Sequence, residues 1–397
     1  MARIKRPAIL AIAVLLVAAI LFGAFMQIST RRALERAEAF QFRRMLVTQQ
    51  EEEDTFRFFY VTNREIAEPD AATELQFGSQ RGDQLKFGLF DTGIEPSLGI
   101  GMLINPTDWF QNEEIQLHDV RSLEQQAFVE QLRAQVNASP YRSLMINING
   151  FRERFPSALR KTAFLAHVLD INTPMVVFDW PGDQGSSARG YRRAQGIARD
   201  SAAELAATIR LILTEVQPER LWLMANSMGG EVVVNAFHEL YNDPAMADAA
   251  TEIEHVFLTA PDVSYAQFGD QFKREIAALT DDLTVYVSSN DRALFMSRVL
   301  NRGRRLGEST VDPNNPDQSD AALRTYELLD PDSRLVTLVD ITPVNRTRNF
   351  HNFSLETPEF FDDLYMRLTH EDTPRSRLLY RVSDKDGREY WILTRGR

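Results

Sequence analysis

A single serine, Ser227, stands at a bend between an apolar run and a helical pattern, in the sequence Ala225-Asn226-Ser227-Met228-Gly229. Small residues lie two positions before it and two positions after it, as is needed where a strand and a helix nearly touch at a sharp turn. This pattern is typical of a nucleophile elbow, which exposes a serine hydroxyl above the edge of a sheet. The alternative is that the serine only caps the helix that follows. The pattern predicts a serine that attacks an acyl carbonyl.

A nucleophilic serine needs a base and an acid, and candidates for both follow along the chain. Asp291 ends an alternating apolar strand pattern, and His351 is the one histidine of six in a loop after the final strand pattern, at 334–342. Asp262 is a rival acid because it also ends an apolar strand pattern. The order Ser227, Asp291, His351 is that of α/β-hydrolases. We expect the histidine to take the serine proton and the aspartate to orient the histidine.

Acyl transfer also needs N–H donors for the oxyanion that forms on the carbonyl. The backbone N–H of Met228, directly after the serine, is one expected donor. A second apolar strand pattern stops at Asn149-Gly150, where the glycine permits a tight turn. The N–H of Phe151 is the expected second donor, with that of Arg152 as the alternative. The other interpretation of the Asn-Gly pair is an ordinary strand-to-helix turn.

These residues require a sheet whose strands end at one edge, and the chain from residue 143 predicts one. Strand patterns alternate with helical patterns, which is typical of a parallel sheet flanked by helices. The predicted strands lie near 143–149, 174–180, 219–226, 253–260, 282–290 and 334–342. The predicted helices lie near 157–170, 196–216, 229–242 and 264–279. The fold class is therefore α/β, as an α/β-hydrolase fold with a mostly parallel sheet.

The remaining segments are assigned around this sheet. Two edge strands are expected at 55–64 and 85–94, and an irregular stretch at 95–140 that becomes helical near 122–136. Candidate lid loops span 181–195 and 303–332, although such composition is more often that of plain surface loops. A hairpin is expected in the C-terminal tail, with strands at 379–382 and 390–393.

Several segments besides the elbow carry a resemblance to a known family: Phe59–Arg64, Phe77–Arg81, Phe87–Gly88, Asn149–Phe151, Val177–Pro181, Ala260–Asp262, Ser288–Leu294 and Arg304–Gly307. Over about residues 55–370 the chain resembles an uncharacterised bacterial α/β-hydrolase family, esterase- or lipase-like and of unknown function. The resemblance implies Ser227, Asp291 and His351 as the triad. It supplies a fold and a reaction class, and no settled substrate.

The chain departs from that family's pattern at three positions. The family's elbow usually reads Gly-His-Ser-Met-Gly, whereas Ala225 and Asn226 stand here. Asn149 stands where the family has a histidine before the oxyanion glycine. Both asparagines keep hydrogen-bonding capacity, so the resemblance leaves the reaction class unchanged and makes the substrate preference the open question.

Composition limits the other classes of function. Hydrophobic residues make up 44% of the chain, enough for a sizeable core, and the formal net charge of −12 argues against nucleic acid as a partner. The chain has no cysteine, which excludes disulfides, thiolate metal sites and a cysteine nucleophile. We find no glycine-rich phosphate loop and no paired-histidine metal spacing. No metal and no cofactor are expected.

The N-terminus predicts attachment to a membrane. Residues 1–6 are basic, and residues 7–28 carry no charge. As a helix this segment is about 33 Å long, enough to cross a bilayer. We expect an uncleaved transmembrane anchor at 7–28 rather than a cleaved signal peptide. The predicted chain continues with a charged stalk helix at 29–54, a hydrolase domain at 55–371 and a hairpin tail at 372–397.

The orientation follows from the positive charges beside the anchor. The basic start favours a cytoplasmic N-terminus, although arginines after residue 30 oppose it. We expect a single-pass protein of the inner membrane, with its hydrolase domain on the extracytoplasmic side.

The sequence thus predicts a membrane-anchored serine hydrolase that cleaves carboxylic esters through an acyl-enzyme. Its expected partners are a small-molecule or lipid ester and the membrane. The alternative, from another class, is a catalytically silent α/β-hydrolase fold that serves as an interaction module of the cell envelope. No feature of the sequence indicates an oligomeric state.

Overall fold

One sheet organises the part of the chain that the structure describes. The structure, a computed structural model, describes residues 47–50, 55–94, 115–246, 253–308, 336–347, 351–369, 379–383 and 389–394. Its strands are β1 (Thr55–Ile66), β2 (Phe77–Ile94), β3 (Ile115–Leu123), β4 (Ser143–Ile148), β5 (Met175–Asp179), β6 (Arg220–Asn226), β7 (Ile253–Thr259), β8 (Thr280–Val287), β9 (Val336–Asp340), β10 (Leu379–Ser383) and β11 (Glu389–Leu393).

The strand order is β10-β11-β9-β8-β7-β6-β4-β5-β1-β2-β3. Every neighbouring pair from β11 to β1 is parallel, and antiparallel pairs close both ends of the sheet. The prediction of a mostly parallel α/β sheet is confirmed. Because these strands run the same way, the loops after β4, β6, β7, β8 and β9 meet at one edge, where ligands bind in such sheets.

Helices cover both faces of the sheet. They are α1 (Thr73–Gln76), α2 (Gln125–Ala138), α3 (Phe155–Leu169), α4 (Ala188–Asp200), α5 (Ala202–Leu211), α6 (Gly229–Tyr241), α7 (Tyr265–Gln267), α8 (Lys273–Ala277), α9 (Arg292–Asn301), α10 (Phe353–Glu356) and α11 (Pro358–Thr369). Along β6, Leu221 and Leu223 pack on the face that α2 and α4–α6 cover, and Trp222 and Met224 pack on the face that α3 and α11 cover. This alternation buries β6 on both faces.

The N-terminal half of the sheet differs from the prediction in one respect. The strands expected at the edge, β1 and β2, lie inside the sheet, and β3 forms the edge in a stretch expected to be irregular. The run Phe58–Val61 is fully buried, which fits a strand with both faces covered. In β3 only Ile115 and Val120 are buried, so its sequence carries little periodic signal.

Two of the predicted connections also differ. The expected loop at 181–195 ends early, because α4 begins at Ala188 with the Ser187 hydroxyl accepting the Gly190 N–H at 3.1 Å. The helix expected at 196–216 is divided into α4, α5 and a π-helical turn at Ile212–Val216. The other candidate lid, 303–332, is described only as far as residue 308.

The predicted anchor at 7–28, the basic start and most of the stalk lie outside the described residues. At 47–50 the chain forms a turn and a bridge to β1 rather than the expected helix. The Val47 N–H donates to Asn172 Oδ1 at 2.6 Å, Gln49 pairs with Phe56, and Thr48 is buried. None of the helices within the described ranges has the length and apolar character needed to cross a membrane.

At the other end of the chain, the expected hairpin forms between β10 and β11. Its second strand continues the main sheet, since Trp391 pairs in parallel with Val339 of β9.

Candidate active site

Ser227 occupies a strained turn between β6 and α6. Its φ of 53° lies in the left-handed region that side-chain-bearing residues rarely adopt. The Ser227 N–H donates to Thr259 O at 2.9 Å, and the Ser227 carbonyl accepts the Asp262 N–H at 3.0 Å. A Cβ on Gly229 would lie 2.6 Å from Ile148 O, so only glycine fits two residues after the serine. This geometry is that of a nucleophile elbow.

The loop after β8 and the loop after β9 bring an aspartate and a histidine together. Asp291 Oδ2 lies 2.7 Å from His351 Nδ1. The other carboxylate oxygen, Oδ1, accepts the Leu294 N–H at 2.9 Å and caps α9. The Asp291 side chain is fully buried, and that of His351 is 13% exposed. The acid is therefore fixed by its own helix while it holds the imidazole.

The electrostatics of this pair favour a protonated imidazole. Burial alone lowers the pKa of His351, but the negative charge and hydrogen bond of Asp291 outweigh burial and raise that pKa. The nearby charge of Asp262 acts in the same direction. Such a histidine is a stronger base toward a serine hydroxyl than an isolated buried imidazole would be.

The residue before the serine ties the elbow to the histidine loop. Asn226 Nδ2 donates to Ser354 Oγ at 3.1 Å and to Thr259 Oγ1 at 3.1 Å. Ser354 is three residues after His351, at the start of α10. Sequence reasoning noted Asn226 as a departure from the family pattern and missed Ser354, whose partner is 128 residues away in the chain.

The turn after β4 lies directly against the serine. A Cβ on Gly150 would lie 2.9 Å from Ser227 Cβ, so the backbone of this turn passes over the elbow. The Arg152 N–H is engaged, since it donates to Gly182 O at 2.9 Å. Within the described part of the chain, no hydrogen bond engages the N–H of Phe151 or that of Met228. Of the two predicted alternatives, Phe151 is thus the one that has an N–H to offer.

The side chain of Asn149 plays a local part in this turn. Its Nδ2 lies 3.4 Å from Ala158 O of α3. The backbone carbonyl of Asn149 accepts the indole N–H of Trp180 at 2.8 Å. The sequence predicted Trp180 only as part of the strand segment Val177–Pro181, although a tryptophan directly after a buried strand was a usable signal of a role in the loop.

The rival acid, Asp262, is committed to a different cluster. Its Oδ1 accepts Arg305 Nε at 2.6 Å and Ser297 Oγ at 2.5 Å, and its Oδ2 accepts the Tyr191 hydroxyl at 2.6 Å. Burial, and then the Asp262 charge, raise the pKa of Tyr191, which therefore stays a donor. The hydrogen bond to His351 Nδ1 is made by Asp291 and not by this second carboxylate.

The described residues include no group of three or more histidine, aspartate or glutamate side chains arranged to hold a metal ion. The arrangement consists instead of a strained serine, a histidine–aspartate pair and two backbone N–H groups at one edge of the sheet. These are the parts that acyl transfer through a serine nucleophile requires.

Comparison with known proteins places the chain in a family. Residues 124–364 match the model of the family described as "Alpha/beta hydrolase of unknown function (DUF900)". This segment is more than half of the chain, and the chain therefore belongs to that family. No curated protein matches the chain significantly.

The solved structures to which the chain is similar include three hydrolases, all at low identity. A zinc-bound, cold-adapted esterase from an Arctic intertidal metagenomic library is 10% identical, over 81% of this chain and 98% of that one, with a TM-score of 0.36. A putative hydrolase from Agrobacterium vitis S4 is 14% identical, over 72% and 93%, with a TM-score of 0.31. A propionate-bound esterase from Thermogutta terrifontis is 10% identical, over 58% and 85%, with a TM-score of 0.31. At these scores the likeness carries no inference about substrate.

The two carboxylates make a prediction about turnover. Asp291→Asn should lower kcat on a test ester roughly 1,000- to 10,000-fold, because an amide favours the wrong tautomer of His351. Asp262→Asn should mainly lower stability, by about 3–5 kcal/mol, because it leaves the buried Arg305 unpaired. Steady-state kinetics on the folded fraction of each variant measures the loss of kcat, and thermal denaturation measures the loss of stability. A larger loss of kcat per folded molecule in Asp262→Asn would make Asp262 the acid.

The raised pKa of His351 makes a prediction about pH. Only the neutral imidazole accepts the serine proton, so kcat/KM should rise with pH, with its midpoint above the ordinary histidine value of about 6.5. In Asp291→Asn the residual activity should titrate at lower pH, because only the smaller effect of the Asp262 charge then opposes the effect of burial on the pKa of His351. Profiles of kcat/KM for both proteins test this. An acid limb that stays in place in the variant would contradict the pairing.

Proposed function

We propose that this α/β hydrolase is a serine hydrolase that cleaves carboxylic esters through an acyl-enzyme. The observation that carries the proposal is the 2.7 Å contact between His351 and Asp291, held at the same sheet edge as the strained turn of Ser227. The position of the pair supports the enzyme, because Asp291 and His351 follow β8 and β9, whose ends lie at the same edge of the sheet as the elbow after β6.

The proposed reaction has two halves. Ser227 Oγ attacks the ester carbonyl while His351 takes the hydroxyl proton, and the oxyanion accepts hydrogen bonds from the N–H groups of Phe151 and Met228. The intermediate collapses, and the alkoxide leaves as an alcohol with the proton from His351. Water then attacks the acyl-enzyme with His351 as base, which releases the carboxylic acid and restores the serine. Asp291 holds the imidazole through both halves.

The choice of an ester rests on the resemblance to an esterase- or lipase-like family and on chemistry. An alkoxide leaves more readily than an amide nitrogen, so a site with one general acid and two backbone donors cleaves esters first. Nothing in the described residues favours one acyl-chain length over another.

The second candidate is a catalytically silent fold that binds a partner in the cell envelope. The two asparagines that depart from the family pattern motivate it. The structure gives both side chains local roles: Asn226 bridges the elbow to the histidine loop, and Asn149 Nδ2 contacts Ala158 O of α3. Neither role removes a part of the proposed reaction, and this favours the enzyme.

Covalent labelling separates the two candidates. The purified protein should react with a fluorophosphonate probe, which phosphonylates activated serines, and Ser227→Ala should abolish the labelling. Ser201→Ala is the matched control, since Ser201 is a buried serine that accepts a hydrogen bond from Asn63 far from the elbow. Labelling of Ser227→Ala at the wild-type level would refute the nucleophile.

The wild type and Ser201→Ala should cleave p-nitrophenyl esters, and Ser227→Ala should not. Esters of increasing acyl length are compared in the same assay. Folded wild-type protein that neither labels nor cleaves any of these esters would favour the silent fold. Cleavage of matched p-nitroanilides at a similar rate would replace the ester assignment with a broader acyl hydrolase.

We further propose that residues 7–28 anchor the chain in the inner membrane, with the hydrolase domain on the extracytoplasmic side. The support is the uncharged segment after a basic start. The protein should then stay in the membrane through alkaline carbonate washing, because burial of about 20 apolar residues is far stronger than peripheral binding.

A truncation tests the tether without harming the domain. Removal of residues 1–46 should release a soluble, active hydrolase, whereas removal through 54 should cost stability, because Val47, Thr48 and Gln49 contact the domain. Protease added outside the inner membrane should digest the full-length domain. Protection from that protease would reverse the orientation, and a mature N-terminus near Phe25 would show a cleaved signal peptide instead.

A further inference from the structure

A fully buried arginine lies behind the turn that faces Ser227. Arg64, near the end of β1, has no exposed surface, and its guanidinium is surrounded by acceptors. Its Nε donates to Asp179 Oδ2 at 2.6 Å, and its Nη1 donates to Asp183 Oδ1 at 2.7 Å. Its Nη2 donates to two backbone carbonyls, Glu153 O and Trp180 O, each at 2.8 Å.

The two carbonyls belong to two different loops at the active edge of the sheet. Glu153 follows Phe151 by two residues in the turn after β4, and Trp180 begins the loop after β5. The same loops are joined to each other, since the indole of Trp180 donates to Asn149 O at 2.8 Å and the Arg152 N–H donates to Gly182 O at 2.9 Å. The turn is thus held at both of its ends.

The serine lies on the other side of this turn. Gly150 approaches Ser227 so closely that an added Cβ would lie 2.9 Å from Ser227 Cβ. The backbone between Gly150 and Glu153 carries the unengaged N–H of Phe151. Its position relative to the serine is therefore set by the elbow on one side and by Arg64 on the other.

The choice of arginine is informative because burying a charge is costly. A buried ion pair is often no more stabilising than apolar residues of the same volume. A guanidinium, however, is a rigid planar fork that binds carboxylates and carbonyls in several directions at once, which the single ammonium of lysine does not do. The geometry that Arg64 fixes, rather than the energy of its ion pair, is what distinguishes it from an apolar residue.

We propose that Arg64 is a positioning residue for the reaction: it holds the turn after β4 so that the Phe151 N–H is aimed at the oxyanion. This inference rests on the proposed serine hydrolase function. Arg64 touches neither the substrate nor the reacting atoms, and it acts through the backbone of Glu153 and Trp180.

Arg64→Lys tests the proposal, with Arg57→Lys as the matched control. Arg57 is on the same strand and binds the Asp91 carboxylate through Nε and Nη2, each at 2.7 Å, but at the opposite end of β1. In Arg64→Lys, kcat on p-nitrophenyl butyrate should fall about 10- to 100-fold while KM changes less than about threefold, because the loss is confined to the transition state. Arg57→Lys should leave kcat within about threefold of wild type.

The affinity for a transition-state mimic separates a positioning role from a merely structural role, because loss of folded protein alone does not change that affinity per active site. A butyl trifluoromethyl ketone adds to the serine as a tetrahedral hemiketal whose oxyanion needs the same donors. The ketone should bind Arg64→Lys more weakly than the wild type, by about the same factor by which kcat falls. Both values are expressed per active site, and the fluorophosphonate probe gives the number of active sites. Unchanged ketone affinity, or a kcat loss that matches only the unfolded fraction, would overturn the proposal.

A second variant keeps the test decisive if Arg64→Lys does not fold. Trp180→Phe deletes the N–H that binds Asn149 O and replaces the buried indole with a smaller ring, so it loosens the same turn. It should lower kcat and ketone affinity together, and wild-type values for both would refute the positioning role. A wild-type protein that neither labels nor turns over would refute the proposed function itself, whereas an active wild type with an unaffected Arg64→Lys would refute only this inference.

Discussion

The left-handed backbone of Ser227 is the constraint on which the rest of the site depends. A residue with a side chain held at a φ of 53° costs on the order of 1–3 kcal/mol, so it persists only where its surroundings leave no alternative. Here the last residue of β7 holds the Ser227 N–H, the loop after β7 holds the Ser227 carbonyl, and Gly229 packs against the carbonyls at the end of β4. The turn also brings the serine against the loop after β4, since a Cβ added to Gly150 would lie 2.9 Å from Ser227 Cβ.

Two buried carboxylates, which follow the neighbouring strands β7 and β8, have different partners. Asp262, after β7, is paired with Arg305, whose positive charge largely neutralises it. Asp291, after β8, has its helix N-terminus and His351. Because Asp291 has no arginine or lysine ion pair among the described residues, its charge acts on the imidazole of His351. The same residue type thus pairs with an arginine at one strand end and with a histidine at the next.

How far the sequence predicts this site depends on the distance over which each signal acts. The strand-to-loop positions of Ser227, Asp291 and His351 follow from local patterns, since the ends of parallel strands meet at one edge. The contacts of Arg64 with the loops after β4 and β5 join residues 89 to 119 positions apart, and a polar residue after an apolar run resembles an exposed strand end. The interior position of β1 could have been inferred, because Phe58–Val61 is a continuous apolar run.

The departure at Asn226 illustrates how a changed motif can keep its geometry. One asparagine nitrogen carries two hydrogens, whereas each nitrogen of an imidazole carries at most one. Asn226 Nδ2 therefore binds Thr259 Oγ1 and Ser354 Oγ together, and it ties the elbow to both the end of β7 and the helix that follows His351. A histidine at this position has no single atom that donates to both hydroxyls. The residue that departs most from the family's elbow is thus also the one that fixes the histidine loop to the serine turn.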